Sequence, residues 1–200
     1  MLKIGVILGS VREGRFGEKP ARWIFDELKK RKGVEATFLD LKDYNLPNFD
    51  EAVSPAWTPQ PFKNETVARW TKAVGAEDGY VIVAPEYNRS VSGAMKNAFD
   101  WVYPEWGRKP VGFVGYGSTG GSRAIEHMRL ISIELQMAPI RAGVHLPADV
   151  YMSMMKDAAP VDPARFAPVQ QAADTMIDQL LWWTTALKDA RDSETRQKAA

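Results

Sequence analysis

A chain of 200 residues can bury about 70% of its unfolded surface in one core, so a single domain is expected rather than two small ones. Its 26 basic and 25 acidic side chains are scattered and nearly cancel to +1, leaving no field to recruit nucleic acid or an anionic membrane. The lack of cysteine excludes disulfides, thiolate metal sites and thiol nucleophiles together; with His127 and His145 as the imidazoles, no metal is expected.

The first element is a strand over residues 2 to 8, a short apolar run that opens into a charged loop. It is too short and wrongly flanked for a signal peptide, and no later segment approaches the roughly 20 apolar residues of a membrane span. A cytoplasmic location is therefore the expectation. Ala21, Ile24, Phe25 and Leu28 then form one helical stripe. Val34 to Leu39 is the second strand. Asp43 to Pro61, rich in proline, is a long loop leading to a helix marked by Val67, Trp70 and Val74.

The third strand, 79 to 84, is a continuous apolar run bounded by glycine and proline, the pattern of a parallel strand covered on both faces. Ala94, Ala98, Trp101 and Val102 suggest the next helix, Val111 to Tyr116 the fourth strand, and Ala124, Met128, Ile131 and Leu135 a further helix. Arg141 to Leu146 is a weaker fifth strand. Asp149 to Pro160 reads as a loop, and Pro163 to Ala190 as a closing helix. Residues 1–190 are thus one domain, and 191–200 a polar tail expected to fray.

Strands alternating with helices imply right-handed crossovers, and five strands favour a flavodoxin-like, doubly wound parallel sheet of order 2-1-3-4-5 with helices on both faces. In such a sheet the ligand crevice lies at the carboxyl ends of the strands where the winding reverses. Three loops converge there. Gly9 to Gly17 follows strand 1 and offers backbone N–H groups, with Ser10, Arg12 and Arg15 as side-chain donors to an anion. Pro85-Glu86-Tyr87-Asn88 follows strand 3 and suits a planar ligand. Gly115 to Ser122 follows strand 4, and its glycines let main-chain N–H groups approach a ring edge.

The third loop contains Gly-x-G-x-x-Gly as Gly115, Gly117 and Gly120, but it follows the fourth strand and has no acidic residue at the next strand end, so a dinucleotide fold is disfavoured. The first loop lacks the lysine and hydroxyl of a triphosphate-binding loop. A monophosphate suits it better, with Arg12 pairing in bidentate fashion.

On these residues the chain resembles the NADPH-dependent FMN reductase and NAD(P)H quinone reductase family over nearly all of positions 1 to 190. The marks are Gly9-Ser10-x-Arg12-x-Gly14-Arg15, then Pro85-Glu86-Tyr87-Asn88-x-Ser90-x-x-Gly93-x-x-Lys96-Asn97-Ala98-x-Asp100-Trp101, and the glycine-serine third loop. The resemblance implies an FMN enzyme using NADPH or NADH as co-substrate and a small-molecule electron acceptor, assembled as a homodimer or homotetramer. It places Ser10, Arg12, Arg15, Phe16 and Gly17 at the FMN phosphate. Pro85, Glu86, Tyr87 and Asn88 would flank the ribityl chain and ring, and Gly117, Ser118, Gly120 and Gly121 the ring's pyrimidine side. Family members often carry serine or asparagine where this chain has Arg15 and Gly17.

Because the flavin carries the electronics of hydride transfer, no catalytic side chain is expected. Glu86 is expected to orient the loop, its charge aimed at backbone donors, since a free carboxylate near flavin N1 would oppose reduction. His127 and His145 are expected to be structural. Trp101, Tyr103 and Trp106 fit either an aromatic wall or the core. The alternative to a reductase is a flavodoxin-like electron carrier or a flavin-binding docking module, against which stands the lack of a Ser/Thr-rich phosphate loop.

Overall fold

The computed structural model describes residues 1–58 and 60–199, with the side chain of Ala199 left aside. Five strands, β1 (Leu2–Leu8), β2 (Val34–Asp40), β3 (Gly79–Pro85), β4 (Pro110–Tyr116) and β5 (Ala138–His145), form one sheet in the order β2-β1-β3-β4-β5. Every pairing is parallel, and the register of β4 with β5 slips between Val111 and Phe113. This is the flavodoxin-like winding that the alternation of apolar runs implies. β3 and β4 are buried along their whole length, which explains why their sequences are continuous apolar runs and not alternating ones.

Helices cover both faces. On one side α1 (Glu18–Lys29) and α7 (Gln170–Ala199) bury Ile24, Leu28, Met176, Ile177 and Leu180 against Ile4, Val6 and Val81. On the other α3 (Glu65–Gly75), α4 (Gly93–Asp100) and α5 (Ser122–Glu134) bury Val67, Trp70, Met95, Phe99 and Met128 against Ile7, Ile82 and Phe113. Trp101 and Trp106 belong to this second core, at 2% and 0% exposure, so neither walls an acceptor site. Phe99 and Trp106 stack with ring centroids 4.5 Å apart.

Three elements depart from the sequence reading. The long loop after β2 begins with one helical turn, α2 (Leu41–Tyr44), capped by the Asp40 carboxylate, which accepts from the Lys42 N–H at 2.9 Å. The stretch after β5 also carries a short helix, α6 (Ala148–Ser153). The closing helix starts as a 3-10 segment, Pro163–Val169, because Pro168 has no N–H to give an α-helical ladder.

The polar segment is helical: α7 runs on to Ala199. Its polar end is tied down by charge. Lys188 Nζ and Arg191 Nη2 reach Asp78 Oδ1 at 2.8 and 3.2 Å, Arg191 Nη1 donates to the Arg108 carbonyl at 2.6 Å, and Arg108 pairs with Glu194. Hydrophobic periodicity carries no trace of such contacts.

Candidate functional site

The register of the sheet decides where the loops meet. Leu8 pairs with Val83 and Pro85 with Tyr116, so the loops after β1, β3 and β4 leave from one level of one edge. The Gly9 N–H donates to the Val83 carbonyl at 3.1 Å, and Ser92 Oγ donates to the Gly9 carbonyl at 2.6 Å. A Cβ at Gly9 would lie 1.6 Å from the Met95 methyl and 3.0 Å from the Val83 carbonyl, so the methionine would have to move for any larger residue where α4 backs the first loop.

A cavity of about 220 Å³ opens among these loops, lined by Ser10, Arg12, Arg15, Phe16, Glu86, Tyr87 and Gly117 of the predicted residues, and by Tyr116, Tyr151 and Met155 in addition. Ser10 is buried, with its Oγ 3.0 Å from the Tyr87 hydroxyl. The Arg12 guanidinium lies over the Tyr87 ring, 5.9 Å from its centroid, and among the described residues no carboxylate claims it. Arg15 has a different position from Arg12. It forks onto Asp40 at the end of β2 and also donates to the Ser10 carbonyl at 2.7 Å, so it braces the loop from behind.

Phe16 sits edge-on to Tyr151 at 4.6 Å and tilted against Tyr116 at 5.2 Å. Gly17 begins α1 without a side-chain cap, and a Cβ there would come 2.4 Å from the Tyr116 hydroxyl. Burial pushes the Tyr116 phenol well above its usual range, so it remains protonated. Among the described residues, no acceptor engages the backbone N–H groups from Arg12 to Gly17. An uncapped helix start, a run of free amides and an unpaired arginine fit a phosphate monoester, the test this loop had to meet to hold FMN.

The second loop is a tight turn. Tyr87 and Ser90 exchange backbone hydrogen bonds of 2.8 and 3.0 Å, with Asn88 and Arg89 at φ of +50° and +70°, as a type I′ turn requires. Asn88 is exposed at its tip, while Pro85 ends β3 in the core. Ser90 Oγ and His127 Nδ1 are 2.9 Å apart, which gives His127 a bracing contact.

Glu86 is the hub that joins the second loop to the third. Its side chain is 3% exposed and accepts from Thr119 Oγ1 at 3.0 and 3.1 Å, from the Arg123 N–H at 3.1 Å and from Arg123 Nε at 2.6 Å, with Arg123 Nη2 also in contact. Burial alone would raise this carboxyl; the hydrogen bonds from Arg123 and Thr119 together with the Arg123 charge outweigh it and hold the pKa below the ordinary value. The expectation that Glu86 aims its charge at backbone donors is met by one of them, the Arg123 N–H, while the Arg123 guanidinium and the Thr119 hydroxyl take the rest. Arg123 escaped the sequence reading because it stands in the first turn of α5, where an arginine usually signals nothing.

In the third loop the glycines divide their work. Gly117, at φ +146°, passes close to Glu86, whose Cβ would lie 3.1 Å from a side chain there. Gly120 and Gly121 turn inward: a Cβ on Gly121 would strike the Tyr116 N–H at 2.5 Å, and the Gly120 N–H closes onto the Gly117 carbonyl at 3.1 Å. The lack of a side chain at these two positions is what lets the turn close this tightly against β4 and β5. Among the described residues the N–H groups of Gly117, Ser118, Thr119 and Gly121 have no acceptor, and Ser118 and Thr119 are the exposed pair. His145 Nδ1 lies 3.3 Å from the Gly120 carbonyl and supports the turn from β5.

Free amides, an unpaired arginine and a braced pair of loops thus share one edge of a flavodoxin-like sheet, and the family match makes the protein a flavin oxidoreductase. The sequence profile described as NADPH-dependent FMN reductase matches residues 2–149, and the chain belongs to this family. An NAD(P)H-dependent FMN reductase of Nectria sp. is 40% identical over 149 residues, spanning 70% of this chain and 74% of its own. A quinone reductase of Escherichia coli is 34% identical over 143 residues, spanning 67% and 71%. Among solved structures, a flavoenzyme NAD(P)H:(acceptor) oxidoreductase from Paracoccus denitrificans superposes with a TM-score of 0.66 at 24% identity, over 90% of this chain and 97% of its own. The last likeness concerns the fold. The family brings FMN as cofactor and NAD(P)H dependence. No helix among the described residues is long and apolar enough to cross a membrane.

Proposed function

We propose that this protein passes electrons from NAD(P)H through bound FMN to a small acceptor of the quinone class by a ping-pong scheme, donor and acceptor using one site in turn. The observation that carries the reading is the unpaired Arg12 beside the free amides of Arg12 to Gly17 at the uncapped start of α1. FMN, when bound, supplies the redox chemistry by taking hydride from the nicotinamide and giving up electrons to the acceptor.

The chain's own residues bind and orient. Arg12 and the first-loop amides hold the phosphate, with Ser10, Phe16 and Gly17 shaping the cradle and Arg15 fixing its back wall. The cavity, at about 220 Å³, falls below the roughly 300 Å³ at which pockets begin to enclose whole ligands, so it takes the phosphoribityl arm and leaves the ring on the rim of Glu86 to Asn88 and Gly117 to Thr119. There the Ser118 and Thr119 N–H groups favour negative charge developing on the pyrimidine side, and Arg123 neutralises Glu86 beside it. No side chain need donate a proton. The quinone class is supported by relatives named quinone reductases, including the one of Escherichia coli.

Assembly as a homodimer or homotetramer is part of the reading. It is supported by Leu130 and Ile133, 68% and 62% exposed on α5 next to the second loop. A cytoplasmic setting follows from the need for NAD(P)H. The test is to titrate the purified chain with FMN, then mix the complex anaerobically with NADPH and afterwards with 1,4-benzoquinone. Rapid bleaching of the flavin absorbance followed by its return supports the reading; a chain that binds no FMN, or a bound flavin that NADPH does not bleach, overturns it.

A further inference from the structure

A second cavity, about 600 Å³, lies against the first, and the two share one strip of chain. Val11 lines the larger, while its neighbours Ser10 and Arg12 line the smaller. The other walls are Leu41, Lys42, Asn45, Leu46 and Asn48 from α2 and the loop after it, with the first turn of α4 closing the remaining side. The segment from Pro47 to Phe49 is braced from behind. Asn97 donates to the Pro47 carbonyl at 2.7 Å and accepts from the Phe49 N–H at 2.8 Å, and Trp101 Nε1 donates to Pro47 at 2.8 Å. The cavity is therefore preformed rather than a gap between mobile loops.

Its chemistry is mixed in a particular way. Val11, Leu41 and Leu46 offer apolar surface to a flat ring. Asn45 and Asn48 carry amides that both donate and accept, and Lys42 is a point charge at the rim. Lys42 enters the hydrogen-bond network through its backbone N–H alone, and among the described residues the side chains of Lys42, Asn45 and Asn48 have no partner. A purine base and a phosphate monoester answer all three features, and the volume falls in the roughly 300–1,000 Å³ range of pockets that enclose nucleotide-sized ligands.

We infer that this cavity receives the 2′-phosphoadenosine end of NADPH, with the base against Val11, Leu41 and Leu46 and the 2′-phosphate paired to Lys42. The inference rests on the flavin reading above, because a dinucleotide whose nicotinamide meets the flavin must place its other end in a neighbouring space. Lys42 then sets the preference for NADPH over NADH.

The probe is adenosine 2′,5′-bisphosphate, titrated by calorimetry into the FMN-loaded protein, with AMP as the reference lacking the 2′-phosphate. Lys42→Glu, a surface change, should weaken the bisphosphate at least about threefold and leave AMP unchanged, as loss of an exposed charge pair would. In turnover the same variant should raise KM for NADPH and not for NADH. Gly93→Leu is the filling variant: a Cβ at Gly93 meets nothing within 4 Å and its backbone lies outside the positive-φ region, so the leucine occupies the space. It should abolish binding of both adenylates while FMN affinity holds. Bisphosphate affinity equal in wild type and Lys42→Glu, or absent from a wild type that binds FMN, overturns the adenylate site and leaves the flavin reading standing. Failure to bind FMN removes both.

Discussion

The Glu86–Arg123 contact makes a quantitative prediction, because it joins two loops that hydrophobic packing leaves apart. Replacing Arg123 by alanine removes the Nε and Nη2 donors and leaves Glu86, 3% exposed, with Thr119 and one backbone N–H. Stripping one partner from a buried ion pair costs about 3–5 kcal/mol. Arg123 is itself 34% exposed, so water can enter where it stood, and the remaining donors still serve the carboxylate. The expected loss is therefore about 2–3 kcal/mol, or about 4–12 °C in Tm for a chain of this length. A double-mutant cycle of Arg123→Ala with Glu86→Gln, read by urea unfolding, should give a coupling of about 1.5–3 kcal/mol. Since the folded pKa of Glu86 is depressed, its stabilisation is complete above the unfolded carboxylate pKa of about 4.3 and is lost as pH falls through the lower folded value. The coupling should be flat above about pH 5 and fade below about pH 4. A coupling under about 0.5 kcal/mol at pH 7 would show a solvated contact and refute the view that it sets the loops.

Arg12→Ala should weaken FMN by about 1.5–3 kcal/mol in a fluorescence titration while leaving riboflavin, which lacks the phosphate, little affected; equal losses for both would place Arg12 elsewhere. Gly17→Ala should lower Tm, because its Cβ would meet the Tyr116 hydroxyl at 2.4 Å, and Tyr116→Phe in the same chain should restore part of the loss. At the opposite end of the sheet, burial lowers Lys109 to about 8 although its Nζ donates to the Gly75 carbonyl and to the Tyr80 hydroxyl. The unfolded lysine titrates near 10.4, so the unfolded chain holds more protons in between, and stability should climb from about pH 8 towards about pH 10. Lys109→Met should flatten that climb in denaturation curves taken across the range; an unchanged slope would deny Lys109 the cause.

The sheet was legible because its information is local and one-dimensional. Runs such as Tyr80 to Ala84 must be apolar throughout when both faces are covered, and stripes such as Ala21, Ile24 and Leu28 must repeat at helical spacing. The three loops were legible as sites because glycine, proline and arginine cluster where a strand ends. What escaped depends on pairs distant in sequence. Arg123 meets Glu86 across 37 positions, Arg15 meets Asp40 across 25, and Lys188 meets Asp78 across 110. A charge pattern along the chain does not reveal such partners, so neither the brace between Arg15 and Asp40 nor the ion pairs of α7 could be read from it. Tyr116, Tyr151 and Met155 lie in segments the sequence does mark, the third loop and the stretch Asp149 to Pro160, but nothing in their residue types assigns them a place at the cavity.

Among the described residues the two ends of the sheet leave different polar groups unpaired: carboxylate oxygens of Glu77 and Glu105 at the amino ends, and backbone donors at the carboxyl ends. At the amino ends of the strands, Asp78 accepts from the Lys3 N–H, Lys188 and Arg191, and Lys109 is caged by the carbonyls of Val74 and Gly75 and the Tyr80 hydroxyl. Those contacts close on themselves and fasten α7. At the carboxyl ends the loops are also braced, by Glu86 with Arg123 and by Arg15 with Asp40, yet among the described residues Arg12, the first-loop amides and the Ser118 and Thr119 N–H groups have no acceptor. Donors that face water are solvated and cost the fold little, so they stand ready to exchange water for a ligand. Held in place, those donors meet an anion without reorganising, and the same preorganisation that strengthens binding of a phosphate also favours charge arriving on a ring beside it.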